Sequence, residues 1–429
     1  MDDGCAQKGA VIVRTVTTPS SDRRATVSLF TRLRSAQGQE DPFPIYAELR
    51  SMGAVAPAPW GGLLVTSFDL CDQILRSPAW LEPDKRWREK QGPRTRWSAP
   101  SSREISSTLP ALNPPDHTRV RQAAGTFDRG TIQGLGPMVA EVTDRLLDSL
   151  VERLRDGGEA DFAALVGEEL PVATIGNWLG LPEADWPRLR ELTHDQVYTQ
   201  ELLPTASQLA RSDAAMAELR TYFLDLVRER RGRLGDDPVS RWIAKWDAME
   251  PDQEKADEGV YFLALFMLLA ALETTATLLS TMTLRLVENP ARWQQLADDP
   301  DLAPAFIEES LRYDPPTHVI SRVAADDRVL GGLEVHRDQM VHLMVGAAHH
   351  DAERHPDPER FDPLRKPAHL AFSSGIHYCL GAPLARLEAE TLLRRLVTRL
   401  PRLTLVRRPT MAPRRVVFRR LMNLDVALA

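Results

Sequence analysis

The run "YFLALFMLLAAL" at residues 261–272 constrains the fold more than any other feature of the chain. Glu273-Thr274-Thr275 interrupts it, and apolar residues then resume. A helix that is hydrophobic nearly all round has no face to offer water, so other elements must enclose it. The run stops short of the ~20 apolar residues that cross a bilayer. No membrane segment is expected; a large core built around one central helix is. With 429 residues, 43% of them hydrophobic, the chain can fill such a core.

Residues 1–40 are rich in Ser, Thr, Arg and Gly and read as a flexible tail. Residues 41–429 read as a single catalytic domain. "PFPIYAELRSMG" has the pattern of a short helix, "APAPWGGLLVTS" that of a hairpin, and "FDLCDQILRS" that of a helix opened by Ser67 or Asp69. Residues 77–115 carry many Pro, Ser and Arg with Trp80, Trp87 and Trp97, and read as one long loop. From His117 to about Leu400 helical periodicity dominates. The exception is 319–348, where β-branched residues and "VLGGLEV" predict short strands. "DAERHPDPERFDPLRKPAHL" is an irregular, Pro-studded meander. The fold class is mainly α with a minor β region.

A net charge of -7 argues against nucleic acid as a partner. Cys5, Cys71 and Cys379 are odd in number and far apart, with no CxxC pair. That usage suits a reducing cytoplasm. The start, "MDDGCAQKGA", lacks the basic and apolar regions of a signal peptide.

Four local patterns carry chemistry. "AFSSGIHYCLGAPLAR" sets Cys379 between a loop of small residues and a helix start, where free N–H groups and the dipole favour an anion. "ALETT" places an acid and an alcohol inside the apolar helix. "EESLR" puts Glu309 and Arg312 on one helix face. "NPPDHTRVR" puts His117 and Arg121 four residues apart at another helix start. Taken singly, each has a plainer explanation: a small buried hydrophobe, a backbone-satisfied Thr beside a salt bridge, a surface charge.

Together, and in this order, they resemble the cytochrome P450 family, the bacterial soluble haem-thiolate monooxygenases, over residues 40 to 429. The resemblance implies a triangular prism of helices around a buried haem b, with Cys379 as axial thiolate and Phe372 beside the sulfur. N–H groups following the cysteine, Gly381 among them, would tune the iron. His117, Arg121, Arg322 and His377 would hold the haem propionates, a task for which the planar Arg fork is well shaped. Glu273 and Thr274 would deliver protons during oxygen activation, with Thr274 also bonding back to Ala270 and opening a groove. Glu309, Arg312 and Arg360 would form a buried structural triad.

Phe266, Leu269, Ala270 and Thr274 fall on one helix face and would line a substrate pocket with "THVI", residues 317–320. Residues 198–207 would form its lid. His318 is the one ionisable group expected beside Val319 in that pocket. An apolar pocket implies a small hydrophobic or aromatic substrate. No flavin or iron–sulfur motif is present, so by resemblance electrons come from a ferredoxin and its reductase, docked near Arg119 and Arg386. Hydroxylation in natural-product tailoring leads; oxidative coupling or desaturation by the same haem chemistry, a non-catalytic haem sensor, and a cofactor-free helical interaction protein remain as alternatives.

Three departures from the family pattern stand out. Ala271 and Ser373 replace usual glycines, and "AHHD" replaces a more usual Ala-Asn-Arg-Asp. His349, His350 and His355 do not match a zinc spacing.

Overall fold

The computed structural model describes residues 20–93 and 95–429. The central helix runs Gln253–Val287, capped by Asp252, whose carboxylate accepts from the N–H groups of Glu254 and Lys255. Helices Glu169–Leu179, Ala206–Gly232, Pro238–Met249, Ala303–Tyr313 and Ala382–Arg399 pack around it. Its polar interruptions are satisfied locally, which is the condition for burying them. Thr281 and Thr283 donate to the carbonyls of Thr277 and Leu279, and Thr277 donates to the Arg419 carbonyl at 2.7 Å. Composition alone would let this helix span a membrane, but 72% of its most apolar window is buried inside the protein. It is the core helix the sequence demands.

The β region is small. Val55–Pro57 and Leu63–Val65 form the expected hairpin, and Leu63–Val65 pairs in parallel with Met340–Leu343. Ile320–Ala324 and Trp80–Leu81 complete a five-stranded sheet, which brings Arg322 opposite Val341. "VLGGLEV" is the turn between Arg328–Leu330 and Leu333–Val335. The helix Phe68–Arg76 has Ser67 at its N-cap.

Two sequence expectations need correction here. Residues 1–19 lie outside the described residues, but 20–40 are not a tail: Ser20–Leu33 and Ala36–Glu40 are helices. Leu29, Phe30 and Leu33 are buried, and the Phe30 ring meets Trp60 edge-on at 4.8 Å. The polar composition of this stretch hid one apolar stripe with helical spacing, and that stripe docks it. Nor is 77–115 one loop. Besides a strand it holds the helices Lys85–Glu89, opened by Asp84, and Pro100–Ile105.

The ion network beneath the core is completed by a different arginine from the one expected. Glu309 and Arg312 are fully buried and bonded through both carboxylate oxygens at 2.8 Å. Arg312 also donates to the His349 and Pro358 carbonyls, and the Asp362 N–H donates to Glu309. Arg360 points to solvent, 72% exposed and 3.9 Å from Asp362. Arg365 turns inward instead, its Nε 3.5 Å from Glu309. The turn Pro363–Arg365, capped by Asp362 and ended by Lys366 at φ 51°, reverses the chain and aims it. Only the backbone carbonyl of Arg360 takes part, accepting from Arg312 and Arg365.

The histidines of "AHHD" brace the same region. His349 donates from Nδ1 to the Arg312 carbonyl and accepts the Leu370 N–H at Nε2. Burial keeps this ring neutral, well below the usual histidine range. His350 bridges the Tyr313 carbonyl and Glu359. No cluster of metal-ligating side chains occurs among the described residues.

Candidate active site

A cavity of about 440 Å³ opens between the central helix and the cysteine loop. Cys379, Phe372 and Gly381 form one wall; Phe266, Leu269, Ala270 and Thr274 form the opposite one. The four helix residues expected from spacing therefore share a face.

On the cysteine side, the Cys379 N–H donates to the Phe372 carbonyl at 2.9 Å and closes the loop. The helix Ala382–Arg399 begins directly after it. Burial pushes the free thiol up, and the N–H groups of Gly381 and Ala382, with Arg121 and Arg386, only partly offset that. A buried thiol in this state needs a cation to hold it as thiolate, which is what iron provides. Gly375 seats the loop: at φ 67° it lies against the Phe68–Arg76 helix, where an added Cβ would meet the Leu75 carbonyl at 2.5 Å. Ser373 keeps the left-handed turn of the glycine it replaces, at φ 59°, with its hydroxyl buried and unpartnered. Left-handed backbone costs a non-glycine residue about 1–2 kcal/mol. Ser373→Gly is therefore expected to stabilise the protein by about 0.5–1 kcal/mol net of the entropy glycine adds to the unfolded chain. A rise in the thermal unfolding midpoint checks it.

At one end of the cavity four of the expected cofactor-binding residues meet. The rings of His117 and His377 lie 4.4 Å apart, Arg121 donates to the Tyr378 carbonyl, and Arg322 is buried beside them. Burial, then the nearby arginine charges, lowers both histidines, His377 to about 3. Sequence reasoning missed their anionic neighbour. Glu82 lies 2.5 Å from Arg322 and 3.8 Å from His377, and burial pushes it up to about 7 despite Arg322 and Arg88. His117 Nε2 is buried without a partner. An orphaned imidazole nitrogen and two guanidiniums, beside an acid that burial pushes toward protonation, fit a group that arrives carrying two carboxylates, so the residues present fit haem.

On the opposite wall Thr274 Oγ1 donates to the Ala270 carbonyl at 2.8 Å, and Ala270 is open to the cavity. Ala271 lines the same wall. Glu273 is not a loose carboxylate. One oxygen pairs with Arg415 and the other accepts from His194 Nδ1 at 2.8 Å. Burial would raise Glu273, but Arg415 and His194 outweigh it and hold the acid down to about 2. His194 in turn faces Glu168 at 3.6 Å, and these two acids raise it against burial. Neither Arg415 nor His194 is near Glu273 in sequence, and no local pattern marks them.

His318 does not line the cavity. It is buried behind it, 2.8 Å from the Tyr46 hydroxyl and 3.2 Å from Asp314, with Gly346 packed on the ring. Its neighbours Thr317 and Val319 line the cavity instead. Thr199 and Gln200 reach the cavity from the expected lid. Of the three tryptophans only Trp97 does; Trp87 donates its indole N–H to the Asp338 carbonyl.

The sequence model of the family described as Cytochrome P450 matches residues 200–404. Cytochrome P450 monooxygenase PikC of Streptomyces venezuelae is 33% identical over 380 residues, 86% of this chain and 87% of PikC. Erythromycin C-12 hydroxylase of Saccharopolyspora erythraea is 36% identical over 303 residues, covering 69% and 74% of the two chains. Among solved structures, ligand-free CYP164A2 of Mycobacterium smegmatis superimposes with a TM-score of 0.83 at 31% identity, over 95% of this chain and all of that one. With a thiol facing an acid–alcohol pair across a cavity whose cationic end fits two carboxylates, this chain belongs to the cytochrome P450 family and is a monooxygenase whose haem iron takes a cysteine thiolate.

Proposed function

We propose that the enzyme hydroxylates a small hydrophobic organic molecule in natural-product tailoring, with Cys379 as the iron ligand and the Glu273–Thr274 pair managing protons. The observation that carries this reading is that Cys379, in the loop before the Ala382–Arg399 helix, and Thr274, in the central helix, line one cavity. Haem, when bound, supplies the redox chemistry: dioxygen, two electrons and two protons give one oxygen atom to the substrate and one to water. The chain's own residues do the rest. His117, Arg121, Arg322 and His377 hold the propionates; Phe266, Leu269 and Val319 exclude water and press the substrate toward Ala270. Arg415 cannot release a proton at neutral pH, so His194, bonded to Glu273, is the titratable group through which protons would reach this end of the cavity. The relatives named Erythromycin C-12 hydroxylase and Cytochrome P450 monooxygenase PikC support tailoring as the setting.

Electrons come from a ferredoxin and its reductase in the cytoplasm. Arg386 is bidentate on Glu308 and Arg119 is paired with Glu250, so both are already engaged. Ile376 and Tyr378, 54% and 43% exposed in the cysteine loop itself, give the donor an apolar foothold next to the sulfur.

Thr274→Ala tests the proton role. Haem content and the thiolate-type carbon-monoxide spectrum should persist, while product per electron pair falls by roughly 10- to 100-fold and peroxide rises in its place. Well-coupled product formation by this variant would refute the role given to Thr274.

A further inference from the structure

We propose that the substrate carries a carboxylate, recognised by Arg88 and Arg96; this rests on the reading of the cavity as the substrate pocket. Both guanidiniums line it, in the segment that precedes the Pro100–Ile105 helix. Arg88 donates to the Pro83 carbonyl at 2.7 Å and to the Ser102 carbonyl and hydroxyl at 2.5 and 3.1 Å. Arg96 donates to the Glu201 carbonyl. The two groups lie over the same Trp97 ring, 5.2 and 3.8 Å from its centroid.

Neither arginine has a carboxylate within 4.0 Å among the described residues. Three fully buried arginines do: Arg312 has Glu309, Arg322 has Glu82 and Arg415 has Glu273; Arg121, which also lines the cavity without such a contact, is the one assigned to the propionates. The nearby acids are committed elsewhere. Glu82 belongs to Arg322. Asp84 caps its helix through the Trp87 N–H and accepts from Asn113. Glu201 spends its carboxylate on the N–H groups of Val416, Val417 and Phe418.

Two cations held close together, largely out of bulk water and with no carboxylate in direct contact, are costly. Burial pushes both guanidiniums down to about 10, and for Arg96 the neighbouring Arg88 charge adds to it. A ligand carboxylate offsets one of the two charges and can accept from the N–H groups that Arg88 and Arg96 leave free. A neutral ligand leaves them unpaired. The remaining wall, with Phe266, Leu269 and Val319, is apolar. The substrate is thus an amphiphile, its apolar body toward Thr274 and its acid toward Trp97. Because Arg96 also holds the Glu201 carbonyl in the lid segment, acid binding fastens that segment over the pocket.

Spin-state titration of the haem-loaded enzyme decides the matter with matched pairs: octanoate and octanol, dodecanoate and dodecanol, phenylbutyrate and phenylbutyramide. At least one acid is expected to bind about tenfold or more tightly than its neutral partner, equivalent to about 1.4 kcal/mol. Arg96→Gln and Arg88→Gln should each erase that preference, leaving the neutral probe's affinity, the haem content and the carbon-monoxide spectrum unchanged; Arg96→Lys should keep part of it. Equal binding of acid and neutral partner across the panel overturns the proposal, and the wild-type comparison gives that answer even if a variant fails to fold. So does loss of haem from the glutamine variants with no change in acid preference, which would assign the arginines to the propionates. Failure of the underlying reading looks different: the wild-type enzyme would then show no thiolate-type carbon-monoxide complex at all.

Discussion

Cys379→Ser is expected to leave a folded protein without the thiolate-type carbon-monoxide spectrum and with monooxygenase activity at background. The backbone reason for persistence is that the loop is held by groups the substitution does not touch. The residue 379 N–H still bonds the Phe372 carbonyl, and Gly375 still seats against the Phe68–Arg76 helix. Serine is close to cysteine in volume, so the thermal midpoint of the haem-free protein should shift by no more than about 1 kcal/mol equivalent. The chemistry, in contrast, has no substitute. The electron donation that favours O–O cleavage comes from a thiolate, and a serine hydroxyl is far harder to deprotonate than a thiol. Among the described residues no second thiol lines that wall, where Phe372, Leu380 and Gly381 are among the neighbours. Haem affinity should fall as well, leaving the propionate contacts proposed for Arg121 and Arg322 as the main anchor. The measurement is the reduced carbon-monoxide difference spectrum together with haem content. An unaltered spectrum would remove Cys379 from the iron, and with it the assignment of every residue around it.

The parts of this site that were legible in the sequence are those fixed by short spacing within one element. Glu309 with Arg312, and the face of Phe266, Leu269, Ala270 and Thr274, each sit on one helix, so local geometry places them, while Phe372 beside Cys379 was read from the family resemblance of the loop. The Thr274 to Ala270 hydrogen bond is of the same kind: it spans a single helical turn. What escaped was set by chain reversals and by contacts across long sequence separations. Arg360 and Arg365 are equally plausible on spacing, and a turn ended by a left-handed Lys366 decides between them. His318 and Val319 are adjacent, yet only Val319 lines the cavity. Glu82, His194 and Arg415 reach their partners from 240, 79 and 142 residues away, separations across which no motif acts. Arg88 and Arg96 looked like loop charges in a Pro- and Ser-rich stretch; short helices turn them toward the cavity.

Arg312→Ala should be the most damaging single substitution for folding, costing about 3–5 kcal/mol. The side chain is fully buried, and its removal strands the Glu309 carboxylate where water cannot reach. It also frees the His349 and Pro358 carbonyls that hold the meander beneath the cysteine loop. Against a total stability of about 5–15 kcal/mol, that loss leaves a marginal protein. The neutral path out is to remove both charges: a Glu309→Leu, Arg312→Leu double variant should cost less than the two single changes summed, because the stranded charge is counted in each. The same experiment separates the two candidate third members. Arg365→Ala removes a cation 3.5 Å from Glu309 and 13% exposed, so it should destabilise measurably. Arg360→Ala removes a side chain 72% exposed, whose nearest acid is 3.9 Å away, and should stay within about 0.5 kcal/mol. Denaturant unfolding of the three variants gives the order Arg312, Arg365, Arg360. If Arg360→Ala proved as costly as Arg365→Ala, the inward turn of Arg365 would not be the one that closes the network.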